Sequence, residues 1–336
     1  MLILTGLNPF NTLFMELVKW GIIGAGDVTE IKSGPALQKA AGSSLVAVMR
    51  RNAAKAEDYA RRHGVARWYS RAEDLLADPE VNAVYIATPT SSHKLYTLMA
   101  ARAGKPVLVE KPMALNSREC EEMIAACEAA GVPLWVAYYR RKLPRFEKMR
   151  ELILSGAIGS PRAVVIRHFL PEGKLPTQAW KVDPRINGGG LFVDMQAHTL
   201  DWLDYTFGPA QGVHGFALNQ AGRYEAEDAV SFSLLFSQQV LASGICAYST
   251  SHGEESVTVY GNQGQVSMGF FQASPICLHN SRGKEEFEIA DPPHVHQPLV
   301  QSIVDQLRGG PPAPSTGHTA MRTTRLIEQI LDAGSR

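Results

Sequence analysis

Val18-Lys19-Trp20-Gly21-Ile22-Ile23-Gly24-Ala25-Gly26-Asp27 is the stretch on which the reading of this 336-residue chain turns. Residues 18–23 form a short apolar run, which suits a buried parallel strand. Gly24 and Gly26 follow at once and open a helical stretch that runs to about Ala41. Glycine permits a tight turn and lets backbone N–H groups approach a pyrophosphate at the positive end of a helix. Thr29 stands where the full G-x-G-x-x-G pattern would place its third glycine. A bare G-x-G also serves as a plain strand-to-helix turn, so its meaning depends on context. LVAVM at 45–49 supplies that context as a second buried strand, closing a β-α-β unit of the length a dinucleotide site needs.

Downstream, Asn52 starts the helix AAKAEDYARRH, which stops at Gly64. Ser70 with Glu73 reads as a capping box for the next helix, and Asn116 with Glu119 caps the one that ends at Gly131. Strands are expected at 81–87, 106–110 and 132–138, with a helix ending in Gly104 between the first two. Strand and helix thus alternate from 18 to 138, the pattern of a doubly wound parallel α/β (Rossmann) sheet. Beyond it a helix at 149–159 gives way to strand-like runs at 163–170, 229–236, 240–248, 255–260 and 264–270, with turns at Gly261-Asn262 and Ser281-Arg282-Gly283. That order predicts a C-terminal α+β domain with a large, open, mostly antiparallel sheet and helices on one side. A helical tail from Pro298 to Ala333 is broken at GGPPAPS, 309–315. The expected organisation is an N-terminal extension at 1–17, an NAD(P)-binding domain at 18–138, a second, α+β domain at 139–310, and a C-terminal helix at 311–336 packing back on the first domain.

Lys+Arg and Asp+Glu number 33 each, so the chain has no global charge to attract nucleic acid or an anionic membrane. Four scattered cysteines, Cys120, Cys127, Cys246 and Cys277, form no C-x-x-C pair and read as reduced thiols of a cytoplasmic protein. The apolar start is broken by Asn8, Pro9 and Asn11, lacks a basic leader and is too short to span a bilayer, and Met15 is an alternative start.

An NAD site usually carries an acid at the end of its second strand, to bond the ribose 2′-hydroxyl. Here the sequence is Met49-Arg50-Arg51-Asn52, and two guanidinium groups suit a 2′-phosphate. NADP is therefore favoured over NAD, with solvated surface arginines as the other reading. Glu110-Lys111-Pro112 ends a parallel strand, where ligands of open α/β sheets bind. Lys111 there either meets a substrate oxygen or forms a surface salt bridge. Asp194 and His198 follow a triple glycine and lie four apart, on one face of a helix. His198 could exchange a proton with a substrate hydroxyl, oriented by Asp194; by themselves the two also suit an ordinary helix start. His294-Val295-His296 has no third ligand at a recognisable spacing, so it reads as surface loop and no metal is expected. Arg140-Arg141-Lys142 reads as a solvated run.

Taken together, GIIGAGD at 21–27, ATPTSSH at 87–93, AGKPVLVEKP at 103–112, WKVDP at 180–184 and GGGLFVDMQAHTLDWL at 188–203 resemble the glucose–fructose oxidoreductase, inositol dehydrogenase and rhizopine-catabolism (Gfo/Idh/MocA) family. The resemblance runs from Lys19 almost to the C-terminus. It implies a dehydrogenase or reductase that moves a hydride between NAD(P) and a sugar, cyclitol or related polyol, with NADP again favoured. It assigns cofactor contacts to Gly24, Gly26, Asp27, Val28, Arg50, Arg51, Glu110 and Lys111, with Thr88, Pro89 and His93 lining the nicotinamide side. Lys111, Asp194 and His198 become the catalytic set, and substrate contacts fall to these three with Tyr139 and Lys181. Many reductases of the family carry Arg where this chain has Lys181, and lysine lacks the planar fork of a guanidinium. A homodimer or homotetramer through the C-terminal sheet is implied. The family also contains NAD-dependent glycosidases and non-catalytic dinucleotide-binding regulators, the alternatives to a dehydrogenase.

Overall fold

A computed structural model describes residues 14–172 and 179–332. The expected extension at 1–17 therefore lies outside the described residues except for its last four. The N-terminal part alternates as the sequence predicts: β1 (Val18–Ile23), α1 (Asp27–Ile31), α2 (Gly34–Lys39), β2 (Ser43–Met49), α3 (Ala53–His63), β3 (Arg67–Tyr69), α4 (Ala72–Ala77), β4 (Ala83–Ile86), α5 (His93–Arg102), β5 (Val107–Val109), α6 (Ser117–Ala129) and β6 (Leu134–Val136). All six strands are parallel, in the order β3-β2-β1-β4-β5-β6. The order reverses beside β1, so the carboxyl ends of β1 and β4 diverge there and open a crevice. The strands are apolar because helices cover both faces; Trp20, Ile22, Val48, Val84, Ile86 and Val109 are fully buried or nearly so.

Caps form where the chemistry is local. Asn52 accepts a hydrogen bond from Lys55 N, and Asn116 from Glu119 N. The expected Ser70–Glu73 box does not form, because the N-cap of α4 is Arg71 and no side chain caps it. The edge strand β3 is absent from the sequence reading; it is three residues long and two of them are exposed, so it carries little apolar signal.

The second half builds α7 (Pro144–Leu154), β7 (Pro161–Pro171), α8 (Pro184–Asn187), α9 (Ala197–Phe207), β8 (Ala210–Leu218), β9 (Ala229–Phe236), β10 (Leu241–Thr250), β11 (Glu254–Gly261), β12 (Gly264–Met268), β13 (Ile276–Asn280) and β14 (Gly283–Phe287). They form one eight-stranded sheet, β14-β13-β12-β11-β7-β10-β9-β8, in which only β7 and β10 pair in parallel. The outer strands β8, β13 and β14 are absent from the sequence reading. β14 is Gly-Lys-Glu-Glu-Phe, charged and mostly exposed, with no alternation to find. Two helices close the chain, α10 (Gln297–Leu307) and α11 (Gly317–Asp332). α10 packs on α2, and α11 lies on α6, β8 and α9, so the tail touches both halves.

Candidate active site

A cleft of about 770 Å³ opens at the carboxyl ends of the parallel strands. Its floor is the turn after β1. Gly24 has φ +93°, and a Cβ there would meet Thr88 Cγ2 at 2.5 Å and Thr88 N at 2.9 Å. The fold itself therefore demands this glycine. Gly26 differs. Its φ of −150° is open to any residue, and a Cβ would meet nothing nearer than Gly24 O at 3.8 Å. No packing requires Gly26, so the room beside it is left for a ligand that approaches the backbone, as a pyrophosphate does. Thr29, in place of the third glycine, is buried and accepts from Gly26 N while donating to Gly26 O. Close helix packing comes instead from Gly34, where a Cβ would meet Thr29 O at 2.3 Å.

At one end of the cleft lie Arg50, Arg51, Lys55 and Lys32. Among the described residues, none of these four cations has a carboxylate within salt-bridge distance. Asn52, Asp27 and Val28 complete this wall. Lys55 sits one turn into α3 behind its cap; the lone lysine gave no sequence signal.

The other end gathers chemistry from distant segments. The Lys111 ammonium donates to Asp194 Oδ1 at 2.8 Å and to Asp194 O at 2.7 Å. Lys111 is thus no surface salt bridge: its side chain and that of Asp194 are 15% and 20% exposed. Thr88, Pro89, Glu110, Tyr139, Lys181 and His198 share the lining. Asp194 sits in a π-helical turn, Phe192–Gln196, just before α9. This wide turn inserts an extra residue, and Asp194 turns to Lys111 instead of orienting His198. The expected Asp194–His198 hydrogen bond does not form; His198 Nδ1 is buried without a partner among the described residues. Edges of Tyr138 and Tyr139 fix the ring instead, at centroid distances of 5.9 and 5.0 Å. Burial, and then the charges of Lys111 and Arg140, push the His198 imidazole well below the ordinary histidine range. It is neutral near pH 7, with Nε2 as the nitrogen open to the cleft.

His93 is misassigned in the sequence reading. It is fully buried beneath the cleft, with Nε2 at 2.8 Å from Thr88 O and Nδ1 at 3.0 Å from Pro112 O. It braces the two loops that carry Thr88 and Lys111. His296 is no surface loop residue: it is buried, lines the cleft and lies 3.0 Å from Glu110. Of the basic run at 140–142, only Lys142 is partly solvated; Arg140 and Arg141 are buried. Arg141 is buried in a bidentate pair with Asp201, and Arg140 is boxed by Phe146, Phe270 and Phe271. Trp180 and Asn187 also line the cleft, and sequence reading gave neither a role. Asn187 accepts from the Thr90 hydroxyl at 3.1 Å and donates to Lys181 O at 3.0 Å, holding the 179–182 turn over the first domain.

Comparison with known proteins agrees with this architecture. Residues 18–138 match the model of the oxidoreductase family with an NAD-binding Rossmann fold, and 146–267 match the GFO/IDH/MocA C-terminal domain. The chain is 36% identical to "Oxidoreductase P35" of Formosa agariphila over 93% of this chain and 97% of that protein. It is 29% identical to 1,5-anhydro-D-fructose reductase of Ensifer adhaerens, over 89% and 91%. An aldose-aldose oxidoreductase of Caulobacter crescentus, solved with glycerol, superposes with a TM-score of 0.84 at 27% identity, covering 95% and 98% of the two chains. The protein belongs to the Gfo/Idh/MocA family and is an oxidoreductase with an NAD-binding Rossmann domain.

Proposed function

We propose that the protein is an NADP-dependent dehydrogenase or reductase acting on a CH–OH group of a sugar, cyclitol or related polyol, or on the matching carbonyl. The observation that carries this reading is that the Lys111 ammonium, tethered by Asp194, and the buried His198 imidazole line one cleft. Two protons of Lys111 are taken by Asp194, which leaves one for a substrate oxygen. When bound, the dinucleotide supplies or accepts the hydride. In oxidation, His198 Nε2 takes the hydroxyl proton while Lys111 donates to the same oxygen and offsets its growing negative charge. In reduction His198 returns the proton. Asp194 fixes the ammonium and does not itself carry a proton. Tyr139 and Lys181 would contact the rest of the substrate, with Trp180 as an apolar wall.

The cations Arg50, Arg51, Lys32 and Lys55, which have no carboxylate partner among the described residues, support a 2′-phosphate and hence NADP. The reductase and dehydrogenase names of the relatives support a polyol or its carbonyl. The four cysteines, all unpaired, suit a reducing cytoplasm. No helix among the described residues is long and apolar enough to cross a membrane. The outer face of the eight-stranded sheet supports a homodimer, or a tetramer built from it: Phe216, Leu218, Leu241 and Ile245 are between 48% and 70% exposed there.

Turnover of NADPH and NADP against a panel of sugars, cyclitols and dicarbonyls tests the reading. Lys111→Ala and His198→Ala should each lower kcat by about 100- to 10,000-fold with NADPH binding intact. Full activity in both would overturn it, and sugar release without net change in NADPH would identify glycosidase chemistry. Arg50→Ala with Arg51→Ala should weaken NADPH binding about 10- to 100-fold and leave NADH binding unchanged; equal weakening of both would reject NADP.

A further inference from the structure

The chain enters α10 through Asp291-Pro292-Pro293-His294-Val295-His296, a strap with three anchors. Asp291 receives the buried Arg145 guanidinium at 3.2 Å, on the side of the second sheet. His294 Nδ1 lies 2.7 Å from Ile31 O and its Nε2 2.9 Å from Lys39 Nζ, at α1 and α2. His296 reaches furthest in. Its Nε2 is 3.0 Å from Glu110 Oε1, and its ring lies 4.5 Å from that of Tyr139, centroid to centroid. A carboxylate only accepts, so the His296 proton toward Glu110 sits on Nε2. Nδ1 is buried and has no partner among the described residues.

Glu110 is the hub of this corner. Oε1 also accepts from the Tyr85 hydroxyl, and Oε2 accepts from Lys111 N–H at 3.2 Å. Burial would raise this carboxyl, but the bonds from His296 and Tyr85 and the charge of Lys111 outweigh it and hold it at about 2. A buried carboxylate with all its donors in place is rigid, and one that loses a donor must move or take up water. Glu110 precedes Lys111 in the chain, so its position sets where the lysine stem begins. On the other side Tyr139 lies between His296 and His198, with ring centroids 4.5 and 5.0 Å away.

We propose that His296 is a positioning residue for the active site, holding the Glu110–Lys111 corner and the Tyr139 ring in register with Asp194 and His198. It acts from a third segment, outside the strand end that carries Lys111 and the turn that carries Asp194. The effect on turnover rests on the function proposed above; the effect on Lys111 does not.

Two amides separate this role from packing. Glutamine places its amide nitrogen where His Nε2 stands, and asparagine places it where Nδ1 stands. His296→Gln therefore keeps the bond to Glu110 and His296→Asn loses it. In the protein without cofactor or substrate, trace acetylation of Lys111 by acetic anhydride, read by peptide mass spectrometry, should rise about 5- to 10-fold in His296→Asn and stay within about twofold in His296→Gln. With an active polyol from the panel, His296→Asn should lower kcat about 10- to 100-fold, leave the Kd for NADPH within about twofold, and be rescued by His296→Gln. Unchanged labelling of Lys111 in His296→Asn overturns the proposal, as does equal damage from both variants. If the unaltered protein turns over no polyol, the proposed function fails by itself and the labelling still decides the role of His296.

Discussion

Gly24 and Gly26 look equivalent in the sequence, and the structure gives them different work. A Cβ at Gly24 meets the Thr88 backbone and φ is positive, so Gly24→Ala should destabilise the fold by about 1–3 kcal/mol in urea unfolding. Gly26→Ala should leave stability within about 1 kcal/mol, yet abolish NADPH binding in a fluorescence titration. Normal NADPH binding by the Gly26→Ala variant would mean that no phosphate lies against this turn. Gly24, Gly26, Lys111, Asp194 and His198 were legible because each belongs to a short motif whose residue types carry the chemistry. Arg141 and His296 were not legible because what defines them is a distant partner, whereas His93 stands in a motif and its role turned on nearby carbonyls, Thr88 O and Pro112 O, that tie it beneath the cleft. His296 meets a carboxylate 186 positions away, and Arg141 one 60 positions away. A histidine with no local partner reads as surface, and only the folded chain shows what it touches.

Among the elements, the short turn at 139–142 decides how the cleft wall is held. Arg141 donates to both oxygens of Asp201 at 2.8 and 2.7 Å, and to Pro314 O at 2.7 Å; both charged side chains are at most 2% exposed. Arg322 pairs with Asp204 one turn further along α9. This buried lattice fixes the turn that carries Tyr139 to α9 and α11. Asp201→Asn leaves the guanidinium buried with Asp204 Oδ2 only at 3.9 Å, and should cost about 3–5 kcal/mol in urea unfolding. A loss below about 1 kcal/mol would show that the pair is not what holds the turn. Elements with a strong apolar period, such as β1, β4, α3 and α6, were legible, whereas the edges β3, β8 and β14, and the five-residue β13 beside β14, lay below the signal. Edge strands bury few side chains and need no alternation. The π-helical turn at Phe192–Gln196 was hidden because a single inserted residue leaves the apolar pattern intact.

For the whole molecule, two domains and their classes followed from the switch between alternating elements and successive strands. How the halves meet did not, since the tail divides its contacts between them. The outer face of the large sheet also became visible only with the register. Phe216, Ser231, Ile245 and Arg167 lie in one row across four strands, uncovered by the molecule's own helices. If two copies join there, Ile245→Arg places like charges at the centre of a two-fold contact and should yield monomers in sedimentation velocity. An unchanged assembly would place the interface elsewhere.

The order of synthesis adds a consequence. β6 is the last strand of the parallel sheet, and its outer edge is sealed by the segment before α11: Val136 N donates to Ser315 O, the Ser315 hydroxyl to Val136 O, and Trp135 Nε1 to Gln306. A ribosome must make the entire second domain before that seal exists. Until then the nascent protein carries an open, apolar parallel edge, the kind that pairs with other chains. Its first third should therefore need protection while translation lasts, and chains cut by a stop codon before residue 315 should pellet as aggregates on centrifugation rather than stay in solution as a nucleotide-binding fragment.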